Sequence, residues 1–460
     1  MSRAGAELAG AGQDAEHAAV GDPNEPAPDP AEPPPGEDPA GAASGPGDRG
    51  DGEPTRRSMP RWRDDGLRGR FFVTCPRGTE GALRREIAAL RIAGARGDMG
   101  GVWFEGPLEM GYAVCLHARV AMRVLWELGQ FPAATADELY AGARAIDWKP
   151  WLTTKTTLAV SADVSDNPAL HHSGFAALKV KDAIVDALRD RLGGRPDVSP
   201  RDPDVSIRLH VRGTDARLFL DLAGEPLHRR GYRVAMTDAP LKETLGAAVL
   251  ALGRVDPALP FVDPMTGSGT LPIEHAMAAR RLAPGLHRRF GFQRWPSFGA
   301  AEARQSFARL VEDARASALP TAPAPIVCAD RFRNALEAAR QNATAAGVAK
   351  DITFEVAEAR DLAPRWPHGN VVVNPPYGER LMGAPPGPAG DAARREEHVQ
   401  GLKLAGLYRG LAGAFERFTG WGVVVLSGNP LWTREMRGKP AISHRLYNGP
   451  LEVRLLRYEL

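Results

Sequence analysis

The sequence contains little cysteine and no long hydrophobic run. Its 460 residues include three cysteines, Cys75, Cys115 and Cys328, which form neither a CxxC motif nor a Cys/His cluster. We therefore expect no disulfide scaffold and no structural zinc site, and we interpret the thiols as buried and reduced. No stretch approaches the roughly 18 to 20 apolar residues of a membrane span, and no basic segment with an apolar core opens the chain. These absences predict a cytoplasmic protein without a membrane partner.

Aromatic residues are also missing from the chain before Trp62. This N-terminal segment is rich in Ala, Gly, Pro, Asp and Glu, and its first 58 residues carry 12 acidic and 4 basic side chains. Such a segment buries too little apolar surface to offset its ordering entropy, so residues 1–66 are predicted to be a disordered acidic tail. Composition favours a solubilising role over competition with RNA. Because the whole chain has a net charge of +2, the remainder carries +10, which leaves a polyanionic partner and an ordinary basic surface equally open.

Residues 67–232 are predicted to form an α+β region. Strands are expected at FFVTC, GGVWFEG, LAVSADVS, VSIRLHVRG and ARLFLDLAG, and helices at GTEGALRREIAAL, MGYAVCLHARVAMRVL and FAALKVKDAIVDALRDRL. We expect these elements to form two small sandwiches without a catalytic constellation. His171 and His172 are predicted to lie on the surface rather than to bind a metal.

From about residue 236 strands alternate with helices. Four apolar runs end in polar, Gly-rich or Pro-rich loops: PFVDP, PIVCAD, NVVVNPP and GVVVLSG. Continuous apolar strands with helices between them predict a mainly parallel sheet that is buried on both faces, with its ligand site at the carboxyl ends of the strands. The long interval between the first two strands predicts an insertion around residues 287–299.

The loop Asp263–Thr270 follows the first of these strands. Gly267 and Gly269 lack a Cβ and let the backbone approach a ligand, and the next helix offers its N-terminal N–H groups. The spacing does not fit GxxxxGK[ST], GxGxxG or GxSxG, and an ordinary tight turn is the alternative. Asp330, after the next strand, could bind a ribose or cap a helix, and Glu358, after ITFEV, could contact an adenine amino group. Neither acidic residue is specific alone.

The segment Asn374-Pro375-Pro376-Tyr377 follows the strand NVVV. Consecutive prolines stiffen the backbone, so the side-chain carbonyl of Asn374 and the main-chain carbonyl of Pro375 are predicted to be fixed acceptors. Two acceptors aimed at one NH2 group would orient the exocyclic amine of a nucleobase, whose lone pair is otherwise delocalised into the ring. Tyr377 is predicted to stack on that base. A purely structural turn is the alternative, and this sequence is unusual for one.

Several motifs together resemble one known family. DPMTGSGT, ADRFRNALEAARQNA, FEVAEARDL and NPPYGERL, in that order, resemble the class I S-adenosylmethionine-dependent methyltransferases that methylate amino groups. PLKETLGAAVL, APGLHRRFGF and the ending KPAISHRLYNGPLEVRLLRYEL make the sequence similar to the THUMP-containing RlmL-type methyltransferases, which modify guanine N2 in large-subunit ribosomal RNA. DELYAGARAIDWKPWL and LDLAGEPLHRRGYR extend the likeness, which covers residues 70–460.

The resemblance implies a Rossmann-like class I methyltransferase domain over residues 233–460, preceded by a ferredoxin-like and THUMP RNA-binding region over 67–232. It implies that S-adenosylmethionine is the cofactor and that the guanine is held by Asn374, Pro375 and Tyr377. The cofactor residues that it implies are Asp263, Gly267, Ser268, Gly269, Asp330 and Glu358.

The sequence departs from the family pattern at three places. Thr266 stands where the family usually has Cys, and Glu358 stands where it usually has Asp. An extra segment, residues 383–400, is predicted to be a flexible loop near the substrate entrance. No second methyltransferase module follows, so the chain is expected to resemble the N2-methylating half of the fused enzymes.

These observations predict direct methyl transfer from S-adenosylmethionine to guanine N2 of 23S ribosomal RNA, without a metal or a covalent enzyme intermediate. The base must leave its stack, at a cost of a few kcal/mol. Candidates for phosphate contacts that offset this cost are Lys179, Lys181, Arg229, Arg230 and Arg233. The alternatives are guanine N2 of transfer RNA, adenine N6, and a non-catalytic RNA-binding or ribosome-assembly protein. The target guanine, the number of methyl groups, the use of assembly intermediates as substrate and the oligomeric state are left open.

Overall fold

The computed structural model describes Trp62 and residues 67–237, 240–378 and 391–460, with the backbone alone over 391–398. The predicted acidic tail, apart from Trp62, lies outside the described residues. The three cysteines are buried and free, as expected. Among the described helices, none is long and apolar enough to cross a membrane. The described residues contain no cluster of three or more His, Cys, Asp or Glu side chains that could hold a metal.

The first region contains a single eight-stranded sheet in the order β2-β3-β1-β4-β8-β7-β5-β6. Its strands are β1 (Arg68–Thr74), β2 (Arg96–Asp98), β3 (Gly101–Pro107), β4 (Arg123–Pro132), β5 (Thr157–Ser165), β6 (Asp197–Val198), β7 (Val205–Arg212) and β8 (Asp215–Asp221). Its helices are α1 (Glu80–Ala89), α2 (Leu108–His117), α3 (Ala136–Ala145) and α4 (Ser173–Leu192).

The expectation of two separate sandwiches was wrong because of strand β4. The sequence MGYAVCLHARVAMRVL was interpreted as one helix, but α2 ends at His117 and the chain extends again from Arg123. Strand β4 pairs antiparallel with β1 on one side and with β8 on the other, so it joins the two halves into one sheet. Val124, Leu125 and Trp126 are buried there, and this tertiary packing outweighs the helical spacing of the local sequence.

The second region contains a seven-stranded sheet in the order β11-β10-β9-β12-β13-β15-β14. Its strands are β9 (Phe261–Asp263), β10 (Ile326–Asp330), β11 (Ile352–Val356), β12 (Gly369–Val373), β13 (Trp421–Ser427), β14 (Ile442–Asn448) and β15 (Leu451–Glu459). Its helices are α5 (Glu243–Leu252), α6 (Thr270–Ala279), α7 (Ala301–Ala316), α8 (Arg333–Ala345), α9 (Asp391–Phe415) and α10 (Leu431–Glu435).

The predicted parallel sheet is confirmed over its first five strands. Strands β9 to β13 pair in parallel, whereas β15 is antiparallel to β13 and forms a hairpin with β14. No strands were predicted for this closing hairpin. Strand β9 lies between β10 and β12, so the strand order reverses beside it. A crevice at the carboxyl ends of strands is expected at such a reversal.

The extra segment after the NPPY loop differs from its prediction. The segment 383–400 was predicted to be a flexible loop, but residues 391–400 belong to helix α9, and the rest of the segment lies outside the described residues. The loop prediction was therefore wrong for residues 391–400. Their Ala, Arg, Glu and Gln residues favour a helix, and the sequence continues directly into the amphipathic part of α9.

The predicted insertion between β9 and β10 packs against the first region. Phe292 stacks on Tyr112 of helix α2, with ring centres 4.1 Å apart, and its backbone N–H donates to the Leu222 carbonyl at 3.1 Å. Trp295 meets Trp151 edge-on at 5.6 Å between ring centres. All described residues belong to one compact unit, Arg57–Leu460, and this aromatic contact lies within it. The domain boundaries stay a prediction.

Candidate active site

The glycine loop, residues 263–270, connects β9 to helix α6. Gly267 and Gly269 have φ values of +54° and +86°, a left-handed conformation that favours glycine. A Cβ at Gly269 would also lie 2.9 Å from the Ala339 Cβ of helix α8, so no larger residue fits there. Thr266 is buried, and its hydroxyl accepts the Cys328 thiol at 3.2 Å. Thr266 therefore packs inside the loop.

Asp330, at the end of β10, is hydrogen-bonded to the glycine loop. One carboxylate oxygen accepts the Gly267 N–H at 3.0 Å, and the other accepts the Phe332 N–H at 2.9 Å. A carboxylate offers about four lone-pair sites, so two acceptor sites are left for further donors. The structure thus brings together the predicted pocket-forming glycine and the predicted ribose ligand, and two hydroxyl groups match the remaining acceptors.

Asp263 is a buried carboxyl group at the end of β9. Its Oδ1 accepts the Met265 N–H at 3.1 Å. Burial raises the pKa of Asp263 from its ordinary 3.8 to about 8, and the nearby charge of Asp330 acts in the same direction. The group is therefore largely protonated at neutral pH, and a cation that binds beside it would favour its ionised form.

The NPPY loop, residues 374–378, follows β12, the strand that neighbours β9. The Tyr377 hydroxyl donates to the Asn374 side-chain oxygen, which fixes the direction of that carbonyl. Two groups from elsewhere in the sheet domain hold the loop: Tyr408 donates to the Pro376 carbonyl at 2.7 Å, and the Asn429 amide donates to the Tyr377 carbonyl at 2.9 Å. Since a carbonyl oxygen has two lone pairs, Asn374 can still accept a second N–H.

The Tyr377 ring packs against the protein itself. It packs on Gly428, where a Cβ would lie 2.8 Å from two ring carbons, and it is half-buried. Burial raises the pKa of Tyr377 far above its ordinary value, so its hydroxyl stays protonated and remains a donor to Asn374. Whether the ring also stacks on a base stays a prediction.

Glu358 and Phe332 lie at the edge of the site, and only Glu358 was predicted from the sequence. Glu358 precedes a short 3-10 turn and pairs with Arg360 at 3.3 Å, while the adjacent Ala357 N–H donates to the Asp330 carbonyl at 3.1 Å. Glu358 thus lies near the end of β10, as expected for an adenine contact. Phe332 was not predicted, although its side chain is 54% exposed directly beside Asp330. An aromatic residue two positions after a strand-end aspartate was the available signal.

Ser268 and Arg233 have structural partners that the sequence did not reveal. The Ser268 side chain is buried and accepts from the Arg233 guanidinium at 3.1 Å, so it is held by the protein. Arg233 also pairs with Glu243 at 2.9 Å. The structure therefore does not support a phosphate contact for Arg233.

The other candidates for phosphate contacts divide into buried and accessible residues. Arg230 is 4% exposed and is bound to Glu274 and to the Leu227 carbonyl, so it cannot reach a phosphate. Arg229 is exposed and pairs with Glu225 at 2.6 Å. Lys179 and Lys181, on helix α4, line a cavity of about 490 Å³ that also contains acidic side chains, and Lys181 pairs with Asp182 at 2.8 Å. These accessible residues stay candidates.

Comparisons with known proteins agree with this architecture. A model of the RlmL ferredoxin-like domain matches residues 70–125, a THUMP model matches 133–221, and an RMKL-like methyltransferase domain matches 230–386. A Synechocystis protein, provisionally named as an RNA methyltransferase, is 34% identical over 85% of this chain and 96% of its own length. The chain belongs to the THUMP-containing, RMKL-like methyltransferases.

Longer relatives of this family contain more than the present chain. The ribosomal RNA large subunit methyltransferase K/L of Syntrophotalea carbinolica is 38% identical over 85% of this chain and 53% of its own length. The namesake from Methylococcus capsulatus is 39% identical, with 87% and 52% covered. The chain therefore spans about half the length of these curated relatives.

Solved structures of the family share the fold. SMU.472, provisionally named as a methyltransferase and crystallised with SAH, superposes with a TM-score of 0.75 at 29% identity, over 85% of this chain and 98% of its own. A Listeria monocytogenes protein, provisionally named as an N6-adenine-specific DNA methylase, gives 0.73 at 30% identity, over 85% and 96%. Family and fold confirm the predicted class I, S-adenosylmethionine-dependent methyltransferase with its ferredoxin-like and THUMP region.

The residues present fit this cofactor. Gly267 is half-buried and offers bare backbone to a ligand, Gly269 is buried against α8, and Asp330 keeps acceptor capacity for two hydroxyl groups. Phe332 exposes a ring beside that carboxylate, where an adenine face could pack. These assignments to single residues stay predictions.

Proposed function

We propose that the protein transfers a methyl group from S-adenosylmethionine to N2 of a guanine in 23S ribosomal RNA, in the cytoplasm. The observation that supports this most strongly is the position of the NPPY loop. It follows β12, and the glycine loop follows the neighbouring strand β9, so an amine held at Asn374 would lie next to the cofactor pocket. The large-subunit ribosomal RNA methyltransferases among the relatives support the choice of RNA.

In this proposal the protein contributes orientation rather than covalent chemistry. Asn374 Oδ1 and the Pro375 carbonyl accept the two N–H groups of the guanine amine and direct its lone pair toward the cofactor. The Tyr377 hydroxyl keeps the Asn374 carbonyl in this direction. S-adenosylmethionine supplies an electrophilic methyl group on a sulfonium. As the amine forms its new C–N bond, it would break the sulfur–methyl bond, displace S-adenosylhomocysteine and give up one proton to solvent. Holding the reactants in this geometry replaces an entropically costly encounter.

The target base has to leave its stack before it can reach Asn374. Arg229 and the helix α4 residues Lys179 and Lys181 are accessible cations that could bind the surrounding phosphates and offset this cost. Their charge would make RNA affinity fall with increasing salt. This part of the proposal concerns affinity, whereas the NPPY loop concerns the reaction itself.

The proposal is tested by incubating the purified protein with radiolabelled S-adenosylmethionine and unmodified ribosomal or transfer RNA, followed by nucleoside analysis. We expect label as N2-methylguanosine in large-subunit RNA. Label in transfer RNA would keep the chemistry and change the partner, and label as N6-methyladenosine would contradict the guanine assignment. An absence of transfer despite cofactor binding would favour an assembly substrate or a non-catalytic RNA-binding role.

A further inference from the structure

Helix α6, which carries the glycine loop at its start, is contacted along its length by residues from outside the methyltransferase sheet. Most of them lie in the linker, residues 227–237, which joins the first region to α5. The contacts are Arg233 to Thr270 at 3.0 Å, Arg230 to Glu274 at 3.5 Å, Tyr232 to Glu274 at 3.2 Å, and Arg119 to the Met277 carbonyl at 3.2 Å. Only the Arg119 contact comes from the first region, because Arg230, Tyr232 and Arg233 lie within the residues that match the methyltransferase domain.

All three guanidinium nitrogens of Arg233 take part in this attachment. Nη1 donates to the Ser268 hydroxyl at 3.1 Å, and Nη2 donates to the Thr270 hydroxyl at 3.0 Å and to the Leu241 carbonyl at 2.9 Å. Nε donates to the buried Glu243 carboxylate at 2.9 Å. Because the guanidinium is planar, these bonds define the position of Ser268 and Thr270 relative to the linker.

Asn342 holds the same loop from the opposite side. Its Oδ1 accepts the backbone N–H groups of Val234 and Ala235, both at 2.9 Å, and its Nδ2 donates to the Ala235 carbonyl at 2.9 Å and to the Ser268 carbonyl at 3.0 Å. All four hydrogen bonds of a fully buried amide therefore join the linker to the glycine loop. The Gly269 N–H, in the same peptide unit as the Ser268 carbonyl, donates to the Thr266 carbonyl at 2.9 Å. The orientation of this peptide is fixed at both ends.

We propose that Arg233 and Asn342 are positioning residues that make the cofactor pocket dependent on the docked linker. They act through Ser268, whose peptide lies between the two left-handed glycines, and they need not touch the cofactor. This inference rests on the proposed function and adds to it a dependence of cofactor affinity on the docked linker. Loosening the linker should weaken cofactor binding even when every pocket residue is intact.

The decisive variant is Arg233→Lys, because a lysine keeps the charge opposite Glu243 but lacks the planar fork that reaches Ser268 and Thr270. Arg280→Lys is the matched control. Arg280 follows the C-terminal end of α6 and pairs with Asp351. It is similarly buried, with 12% of its side chain exposed against 15% for Arg233. Both variants should lose similar thermal stability.

S-adenosylhomocysteine affinity is then measured by titration calorimetry on the full chain. We expect Arg233→Lys to bind about tenfold more weakly than wild type, since hydrogen bonds to a charged group are lost, and Arg280→Lys to stay within about twofold. Equal affinities for Arg233→Lys and wild type would overturn the inference. If the wild-type protein does not bind S-adenosylhomocysteine, the proposed function is contradicted as well. If wild type and Arg233→Lys both bind equally well, only the positioning role is contradicted.

Ser268→Ala extends the test to the route of the effect. If Arg233 acts through the Ser268 hydroxyl, adding Ser268→Ala to Arg233→Lys should change affinity little beyond the single variant. Additive losses would mean that Ser268 contacts the cofactor independently, which would overturn the proposed route. Hydrogen exchange without cofactor provides a second readout: the peptide covering 264–270 should exchange faster in Arg233→Lys than in Arg280→Lys, and equal exchange would contradict the positioning role.

Discussion

The two loops of the candidate active site are held by different parts of the chain. The glycine loop is held through Arg233, a residue of the linker that precedes α5. The NPPY loop is held by Tyr408 and Asn429, which belong to the methyltransferase sheet domain itself. Cofactor binding should therefore respond to changes in the linker, whereas orientation of the target amine should depend on the contacts of Tyr408 and Asn429. The two functions can be perturbed separately.

The largest effect is expected at the NPPY loop. Asn374→Ala should lower the rate of methyl transfer by about 10³-fold, because it removes a fixed acceptor for the amine in a preorganised site. Cofactor and RNA affinity should stay within severalfold. Single-turnover transfer and S-adenosylhomocysteine titration check the two parts. Asn370→Ala, at the other end of the same strand, is the control, since Asn370 is buried but bonds to the distant Asp256 carbonyl. Full activity of Asn374→Ala would remove this residue from the mechanism.

At the glycine loop, Asp330→Ala should weaken S-adenosylhomocysteine binding by about 100-fold. It leaves the N–H groups of Gly267 and Phe332 without their acceptor and removes the carboxylate proposed to bind the ribose. Asp351→Ala is a suitable comparison, because Asp351 is also a buried carboxylate that accepts a backbone N–H, from Ala322 at 2.9 Å. If both variants lose affinity equally, the loss reflects stability rather than ligand contact.

A smaller effect is expected from Tyr377→Phe, which removes the hydroxyl that directs the Asn374 carbonyl. The transfer rate should fall about tenfold, as for one hydrogen bond, with unchanged cofactor affinity. Tyr140→Phe removes a comparable hydroxyl, bonded to Asp186 at 2.8 Å on the first region, and should leave the rate unchanged. A Tyr377→Phe variant that loses cofactor affinity instead would contradict the separation of the two loops.

A separate effect concerns stability and its dependence on pH. In the folded chain the pKa of Asp263 is raised to about 8, so between about pH 4 and 8 the folded state retains a proton that the unfolded chain releases. The free energy of unfolding should therefore fall as pH rises through this window, by about 1 kcal/mol per pH unit, and level off above it. Asp263→Asn mimics the protonated form and should abolish this contribution. Melting temperatures from pH 5 to 9 test this, and a constant difference between the proteins would disprove it.

Sequence patterns predicted the parts of the site that depend on local chemistry. The glycines, Asp330 and Asn374 were identifiable because each directly follows an apolar strand, and parallel strands bring such ends together. The supporting residues were not identifiable in this way. Asn342 lies within helix α8, and the three residues that it binds are at least 74 positions away. Nothing in the local pattern distinguishes it from a solvent-facing asparagine.

Charge was the least informative signal. Arg229 and Arg230 are neighbours in the sequence and looked equivalent as phosphate ligands, yet the first is exposed and the second is buried against Glu274. A sequence shows that a cation is present but does not show its partner. The same limitation concealed strand β4, whose extended form depends on two partner strands that are distant in the chain.

The contact between the turn at Gly78 and strand β14 has a consequence for how the chain folds. A Cβ at Gly78 would collide with the Arg445 carbonyl, and the Arg77 guanidinium lies 4.8 Å from the centre of the Tyr447 ring. This contact therefore joins a turn of the first region to a strand that follows much later in the chain. Such distant closure is entropically costly and slow, and it joins both halves in one cooperative transition. We expect the two regions to melt together rather than in sequence.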